Sequence, residues 1–297
     1  MPPDRPDPRA RSARMQVSTL LESDVLSVRH IRCGGERRHE SDEECTRSTV
    51  LVLPCRGLFT HRVGRDAVVA DPGRLIVFNA RETYRISHPV PGGDDCLSLT
   101  PSACTLEEMI PGGLVGAGPE PTLLARSFGV DMQTRALAAR LSRPAGLFTE
   151  IDREAMALEI LQRTFQGAPR RDGGSWGQKR LVERARMILG AEPERRWTLR
   201  DAAREVGVSP IYLTQVFQRV EGVSLYRWLV QARLGRALHL LAEAPCLAVL
   251  AHDLGFSSQS HFGAAFRAAF GDTPARFRQR LRRDGRAAPV SGPGTSP

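Results

Sequence analysis

Six cysteines and seven histidines are the side chains best suited to do chemistry in this 297-residue chain. Three of the thiols sit at polar loops. Cys33 lies close to His30, Cys45 ends the segment GGERRHESDEEC that contains His39, and Cys96 ends HPVPGGDDC, which follows His88. Polar, glycine-rich loops are odd places for structural thiols, and thiolate with imidazole is a donor set for zinc, copper(I) or a similar soft ion. Cys33, Cys45, Cys96, His30, His39 and His88 are therefore the candidate metal or effector site, with zinc or another soft ion as the cofactor it would hold. The chain has no Cys-x2-Cys pair, so ordinary buried cysteine and thiol-based redox sensing stay open beside metal ligation. Cys55 and Cys104 lie in or near apolar runs and read as core filler; Cys246 reads as packing. Arg56, Arg81, Tyr84 and Arg85 could bind an acidic ligand.

The elements that must position these residues change character along the chain. Residues 17–125 hold short apolar runs such as STVLVLPCRGLFTHRV and DAVVADPGRLIVFNA, broken by turns including Asp71-Pro72-Gly73-Arg74. Many short strands at close spacing predict a β-sandwich or barrel. Residues 126–166 shift to a helical period. Ile151, Ala155, Leu158, Leu161 and Phe165 form an expected apolar stripe, which would pack on the β domain or pair two copies in a dimer. Residues 167–177 read as a linker, and residues 1–16 and 283–297 as disordered tails.

Residues 178–282 read as helices with well-marked ends. Thr198 caps one helix, with Asp201 three residues on in a variant of the capping box, and Gly207 ends it. Ser209 caps the next, Pro210 occupies its first position, and it runs to Gly222. Two short helices across a tight turn make a helix-turn-helix. The arrangement recurs: LAVLAHDL stops at Gly255, Phe256-Ser257-Ser258 makes the turn, and QSHFGAAFRAAF ends at Gly271. A long helix joins the two units. The fold class expected is α+β, a β-rich half with two following helices and then an all-α half with two helix-turn-helix units.

Charge separates the halves. Residues 1–150 carry 19 basic and 19 acidic side chains; residues 151–297 carry 23 and 14. The whole net charge of +9 therefore belongs to the second half, which points to an anionic partner, double-stranded DNA first. Of the basic residues only Lys179 is lysine, a bias that a GC-rich genome would produce without selection for phosphate contacts. No apolar run is long enough to span a bilayer and the first residues lack the apolar core of a secretory signal, so the expected location is cytoplasmic, with no membrane partner.

The second half resembles the DNA-binding domain of the AraC/XylS family of bacterial transcription regulators. The resemblance is strongest over residues 255–279, where Phe262, Phe266 and Phe270 are followed by Gly271 and Pro274, and it extends upstream through VGVSPIYLTQVFQRVEGVSLYRWLVQARLGRALHLL. It implies base-contacting positions at Gln259, Ser260, His261 and Ala264 in the second unit. In the first unit it implies Ile211, Thr214 and Gln215, with Tyr212 beside them. Gln pairs bidentately with adenine, a His ring can donate to guanine, and Ile can meet a thymine methyl. Arg200, Arg219, Arg227 and Arg267 are the expected phosphate contacts. Leu213, Val216, Phe217 and the three phenylalanines should face the core. The first half resembles, more weakly, the family's cupin-like sensor or dimerisation domain. His61 and His88 do not supply the closely spaced His pair, Glu and later His of a metal-dependent cupin enzyme.

The leading reading is thus a sequence-specific DNA-binding transcription regulator, not an enzyme, that responds to a small-molecule or metal effector through its first half. A homodimer, and RNA polymerase contact if it is an activator, belong to the same reading. The alternatives are a metal- or thiol-based sensor with Cys33, Cys45 and Cys96 as its effector site, and a cupin-type enzyme fused to a DNA-binding tail.

Overall fold

The computed structural model describes residues 15–34, 40–116, 122–143, 147–167 and 174–286. His39 lies outside these residues, as does most of each expected disordered tail. At the tail boundaries, Met15 and Gln16 already belong to the first strand, and the last helix continues to Arg286.

Two antiparallel sheets form the first half. The larger has the order β1 (Met15–Glu22), β2 (Leu26–Cys33), β9 (Asp94–Pro101), β4 (Val50–Arg56), β7 (Arg74–Phe78) and β12 (Ser127–Gly129). The smaller has the order β3 (Glu44–Cys45), β8 (Thr83–Ser87), β5 (Phe59–Val63) and β6 (Asp66–Ala70). A short ribbon pairs β10 (Val115–Gly116) with β11 (Thr122–Leu123). Side chains alternate between the faces of a strand, and the central strands use both faces. Leu51, Leu53 and Cys55 of β4, Leu75 and Val77 of β7, and Leu97 and Leu99 of β9 point to one core. Their alternates Val52, Ile76, Phe78 and Cys96 point to another, shared with Phe59, Ala70 and Tyr84 of the smaller sheet. Burial on both faces explains why these strands read as unbroken apolar runs rather than alternating ones.

Helices cover the outer face of the larger sheet: α1 (Ala103–Met109), α2 (Met132–Leu141) and α3 (Glu150–Gln166). Helix α1 was not anticipated; Cys104 sits exposed in its first turn and fills no core. The buried stripe of α3 is Met156, Ala157, Ile160, Leu161 and Phe165, packed on the β domain. It is rotated from the expected stripe, so that Ile151 is 76% exposed and Ala155 is exposed as well. Ile151 lies in the first turn after the Thr149 cap, and the buried face begins at Arg153.

The second half is helical: α4 (Trp176–Ala191), α5 (Leu199–Val206), α6 (Pro210–Glu221), α7 (Leu225–Leu240), α8 (Leu247–Asp253), α9 (Gln259–Phe270) and α10 (Pro274–Arg286). Each helix-turn-helix unit has its own core. Val182, Ala203, Leu213, Phe217 and Trp228 build the first, and Leu238, Leu250, Phe256, Phe262, Phe266 and Phe270 build the second. Met132 of α2 reaches across from the first half into the second unit's core. Cys246 is exposed at the start of α8 rather than packed. No helix among the described residues is long and apolar enough to cross a membrane.

His61 sits between the sheets, 1% exposed, with its ring 4.2 Å from that of Phe78 and 5.4 Å from that of Tyr84. Burial, assisted by the charge of Arg126 and opposed by Glu82, lowers its pKa from 6.5 to about 4. The unfolded ring takes up its proton near pH 6.5 and the folded ring only near pH 4. Stability is therefore whole above pH 6.5 and declines as pH falls through that window. We expect His61→Phe to reduce the loss of unfolding free energy between pH 7 and pH 4.5 by about 2–3 kcal/mol. Urea denaturation at the two pH values measures this, and equal losses in both proteins would contradict it.

Candidate nucleic-acid interface

Local chemistry fixes where α6 and α9 begin. Tyr212 N–H donates to Ser209 Oγ at 3.2 Å at the start of α6, and His261 N–H donates to Ser258 Oγ at 3.1 Å at the start of α9. These side-chain oxygens satisfy backbone donors that a helix start leaves open. Upstream, Asp201 N–H donates to Thr198 Oγ1 at 3.1 Å. The Asp201 carboxylate accepts from the Thr198 hydroxyl at 2.5 Å instead of from its backbone N–H, so this cap is half of a capping box. The second turn needs a glycine: Gly255 has φ +82°, and a Cβ there would come 2.2 Å from the Glu194 carbonyl oxygen.

On α6, Ile211 is 72% exposed, and Tyr212 and Gln215 are exposed beside it. Thr214 is half-buried and its hydroxyl donates to the Pro210 carbonyl at 2.9 Å. That leaves its oxygen lone pairs, so it can accept from a base but has no donor to spare. Leu213, Val216 and Phe217 are buried on the opposite face. On α9, Gln259, Ser260 and Ala264 are exposed while Phe262, Phe266 and Phe270 are buried. Arg200, Arg219, Arg227 and Arg267 are all exposed.

His261 is half-buried and has partners of its own. Its Nδ1 lies 3.0 Å from Ser257 Oγ and its Nε2 lies 3.2 Å from Tyr226 Oη. These contacts link α9 to the start of α7 and to the turn before α9. Tyr226 was missed in the sequence. It is exposed, one residue before Arg227 and just after the Ser224 cap of α7. Its place between two helix-turn-helix units was the available signal.

A buried charge network holds the first unit against the β domain. Arg186 of α4, 2% exposed, donates Nε and Nη2 to the two oxygens of Asp71, at 2.9 and 2.8 Å. Its Nη1 reaches Glu221, the last residue of α6, at 2.5 Å. Arg74 of β7 donates to Glu183 at 2.5 Å and to the other Glu221 oxygen at 2.6 Å. Glu183 also accepts from the Val69 N–H at 2.7 Å. Burial opposes ionisation of Asp71 and Glu221, but the facing guanidiniums outweigh it and hold both carboxyls below their usual range. Arg135 lies nearby, donating to the Gln231 carbonyl at 3.0 Å, and burial lowers its pKa to about 10.

The expected cysteine site is not assembled as proposed. Cys45 is exposed on β3, opposite Thr83 at the start of β8, whereas His88 follows the end of that strand, about 16 Å away at strand rise. His30 lies 3.8 Å from Asp95. Cys33 and His88 do come together, with Asp94, which the sequence reading omitted. Cys96 is buried and its thiol donates to Asp94 Oδ2 at 3.0 Å. The four residues considered for an acidic ligand are not arranged as one pocket either. Tyr84 is buried in the inter-sheet core, Arg56 pairs with Asp95, and Arg85 pairs with Glu43.

Residues 202–280 match the family model described as a helix-turn-helix domain. The HTH-type transcriptional regulator ExsA of Pseudomonas aeruginosa is 37% identical over 101 residues, covering 34% of this chain and 36% of that protein. The urease operon transcriptional activator of Escherichia coli is 31% identical over 96 residues, 32% of each chain. A solved AraC-type DNA-binding regulator from Chromobacterium violaceum is 26% identical and covers 40% of this chain and 100% of that one, with a TM-score of 0.34. The chain spans about a third of the length of the curated relatives it matches.

Glu221→Gln leaves Arg74 and Arg186 facing a neutral amide in a buried site. We expect it to weaken docking of the first unit by about 3–5 kcal/mol. Glu194→Gln, which breaks the more exposed pair with Arg236, should cost less than about 1 kcal/mol. Hydrogen exchange at α4 and α6 measures both, and equal effects would remove the network from its assigned role.

Proposed function

Taking residues 202–280 as an AraC/XylS-type helix-turn-helix domain, we propose that the chain is a sequence-specific DNA-binding transcription regulator and not an enzyme. The observation that carries this reading is the pair of capped helices, α6 and α9, whose apolar faces are buried while Ile211, Gln215, Gln259 and Ser260 stand exposed near their first turns. The N-terminal part of a recognition helix is the part that meets base edges in a major groove. Gln215 and Gln259 read one base pair each, Ile211 meets a thymine methyl, and Ala264 offers a methyl surface at most. Tyr212 and the exposed arginines Arg200, Arg219, Arg227 and Arg267 hold the phosphate backbone.

In this reading the two-sheet half serves as a cupin-like sensor domain, binds a small-molecule or metal effector and contributes to a homodimer. An activator of this design also contacts RNA polymerase. The effector acts through the buried network of Asp71, Arg186, Glu221 and Arg74, because that network joins the β6–β7 turn to the last residue of the first recognition helix. Such coupling needs an effector whose affinity differs between docked and undocked arrangements.

Footprinting of the full chain on a selected operator should protect two major-groove segments per chain, about one helical turn apart. Protection of a single segment would contradict the two-helix geometry. Against a panel of single-base operator variants, Gln215→Ala and Gln259→Ala should each lose roughly 1–3 kcal/mol of discrimination at one position. Arg267→Ala should weaken all operators alike and reduce the salt slope by about one. A uniform loss for either glutamine variant would assign that residue to the phosphate backbone instead.

A further inference from the structure

Three potential metal ligands from three strands meet at one end of the two sheets. Cys33 closes β2, Asp94 opens β9 directly opposite it in register, and His88 follows the last residue of β8 in the other sheet. One ligand atom from each lies within 4.8 Å of the other two. The cluster is built into the fold. A Cβ on Gly93, which has φ +68°, would come 1.9 Å from the Cys33 carbonyl oxygen, so glycine lets this loop press against β2 and bring Asp94 to the thiol.

The polar atoms here are poorly matched to one another. Asp94 is 5% exposed, and His88 is its one ion-pair partner among the described residues; no Arg or Lys pairs with it. His88 Nε2 lies 2.7 Å from Asp94 Oδ1, yet that oxygen has no aligned hydrogen bond, and His88 Nδ1 is also buried without a partner. At this distance the imidazole and the carboxylate form an ion pair, whose two atoms would move apart to share one ion. A protonated His88 serves as the cation for this buried carboxylate, and a divalent ion would take the place of that proton. The other oxygen of Asp94 already accepts from the Cys96 thiol at 3.0 Å. An outer hydrogen bond of this kind orients a ligating carboxylate.

We propose that Cys33, His88 and Asp94 form a binding site for a zinc-class divalent cation, with Cys96 orienting Asp94. One thiolate, one imidazole and one carboxylate make a borderline-soft set, and three protein ligands leave a fourth tetrahedral position for water or an exogenous ligand. Cys33 is partly exposed, which gives the ion a way in. An occupied site would tie β2 and β9 of the larger sheet to the end of β8 in the smaller one. It stands independently of the DNA-binding reading, because none of its residues belongs to residues 202–280.

The full chain, stripped with chelator, is titrated with cobalt(II) and then zinc(II). The expected result is one ion per chain, with a thiolate-to-cobalt charge-transfer band that zinc displaces. Cys33→Ser should abolish the band and Asp94→Asn should weaken binding at least tenfold. Cys96→Ser should lower affinity about 10–100-fold while keeping the band. Cys45→Ser should change nothing. In the wild-type chain, zinc should protect Cys33 from alkylation but leave Cys45 and Cys104 reactive, a readout that needs no variant to fold. Equal alkylation of Cys33 with and without zinc, or a band that survives Cys33→Ser and vanishes in Cys45→Ser, would overturn the proposal in favour of a plain His88–Asp94 ion pair.

Discussion

Glu221 is shared by two guanidiniums from opposite sides of a domain boundary, and the placement of the first recognition helix depends on it. Arg186 comes from the helical half and Arg74 from the sheet. Asp71 and Glu183 occupy the remaining faces of the two arginines. Buried ion pairs contribute little to stability compared with apolar packing, because desolvation consumes most of the Coulombic gain. Their strength lies in geometry: a planar fork accepts a carboxylate in few orientations, and a misaligned one leaves a charge unpaired. The network therefore ties the helical half to the sheet in an orientation that satisfies both guanidiniums.

Around that anchor, the rest of the helical half is set by ordinary means. Side-chain caps start α6 and α9, each unit closes its own apolar core, and α7 runs from one core into the other. Tyr226 and His261 add a polar link between the start of α7 and the start of α9. The exposed surfaces of α6 and α9 are what remains after these demands are met. This explains why polar residues of the same helix can have different roles, Gln259 facing solvent and His261 facing the protein.

The helix-turn-helix half was legible because its determinants are local. Ser209, Pro210, the turn glycines and the spacing of Phe262, Phe266 and Phe270 act within a few residues of each other, so linear order carries the information. The strands of the first half were legible for the same reason. Contacts between distant segments were not. Asp71 read as a turn residue and is one, yet nothing near it announces Arg186. Cys45 looked equivalent to Cys33 because both end polar loops, and strand pairing alone puts it at the wrong end of β8. Asp94 was overlooked because an acid in an acidic loop looks solvated, whereas register places it opposite Cys33 and under cover. His261 occupies the right helix position, and its local partners, Ser257 and Tyr226, decide its use.

Met132 gives the two halves a relationship that their order along the chain conceals. It belongs to a helix that packs on both halves: Ala138 and Leu141 face the sheet core, while Met132, with Ala136 and Ala139 beside it, packs into the apolar centre of the second unit with Leu234 and Leu238. A polypeptide beginning after the linker would leave that seat open to water. Residue 132 is thus a point of fit at which the two-sheet half and the helical half of this chain constrain each other.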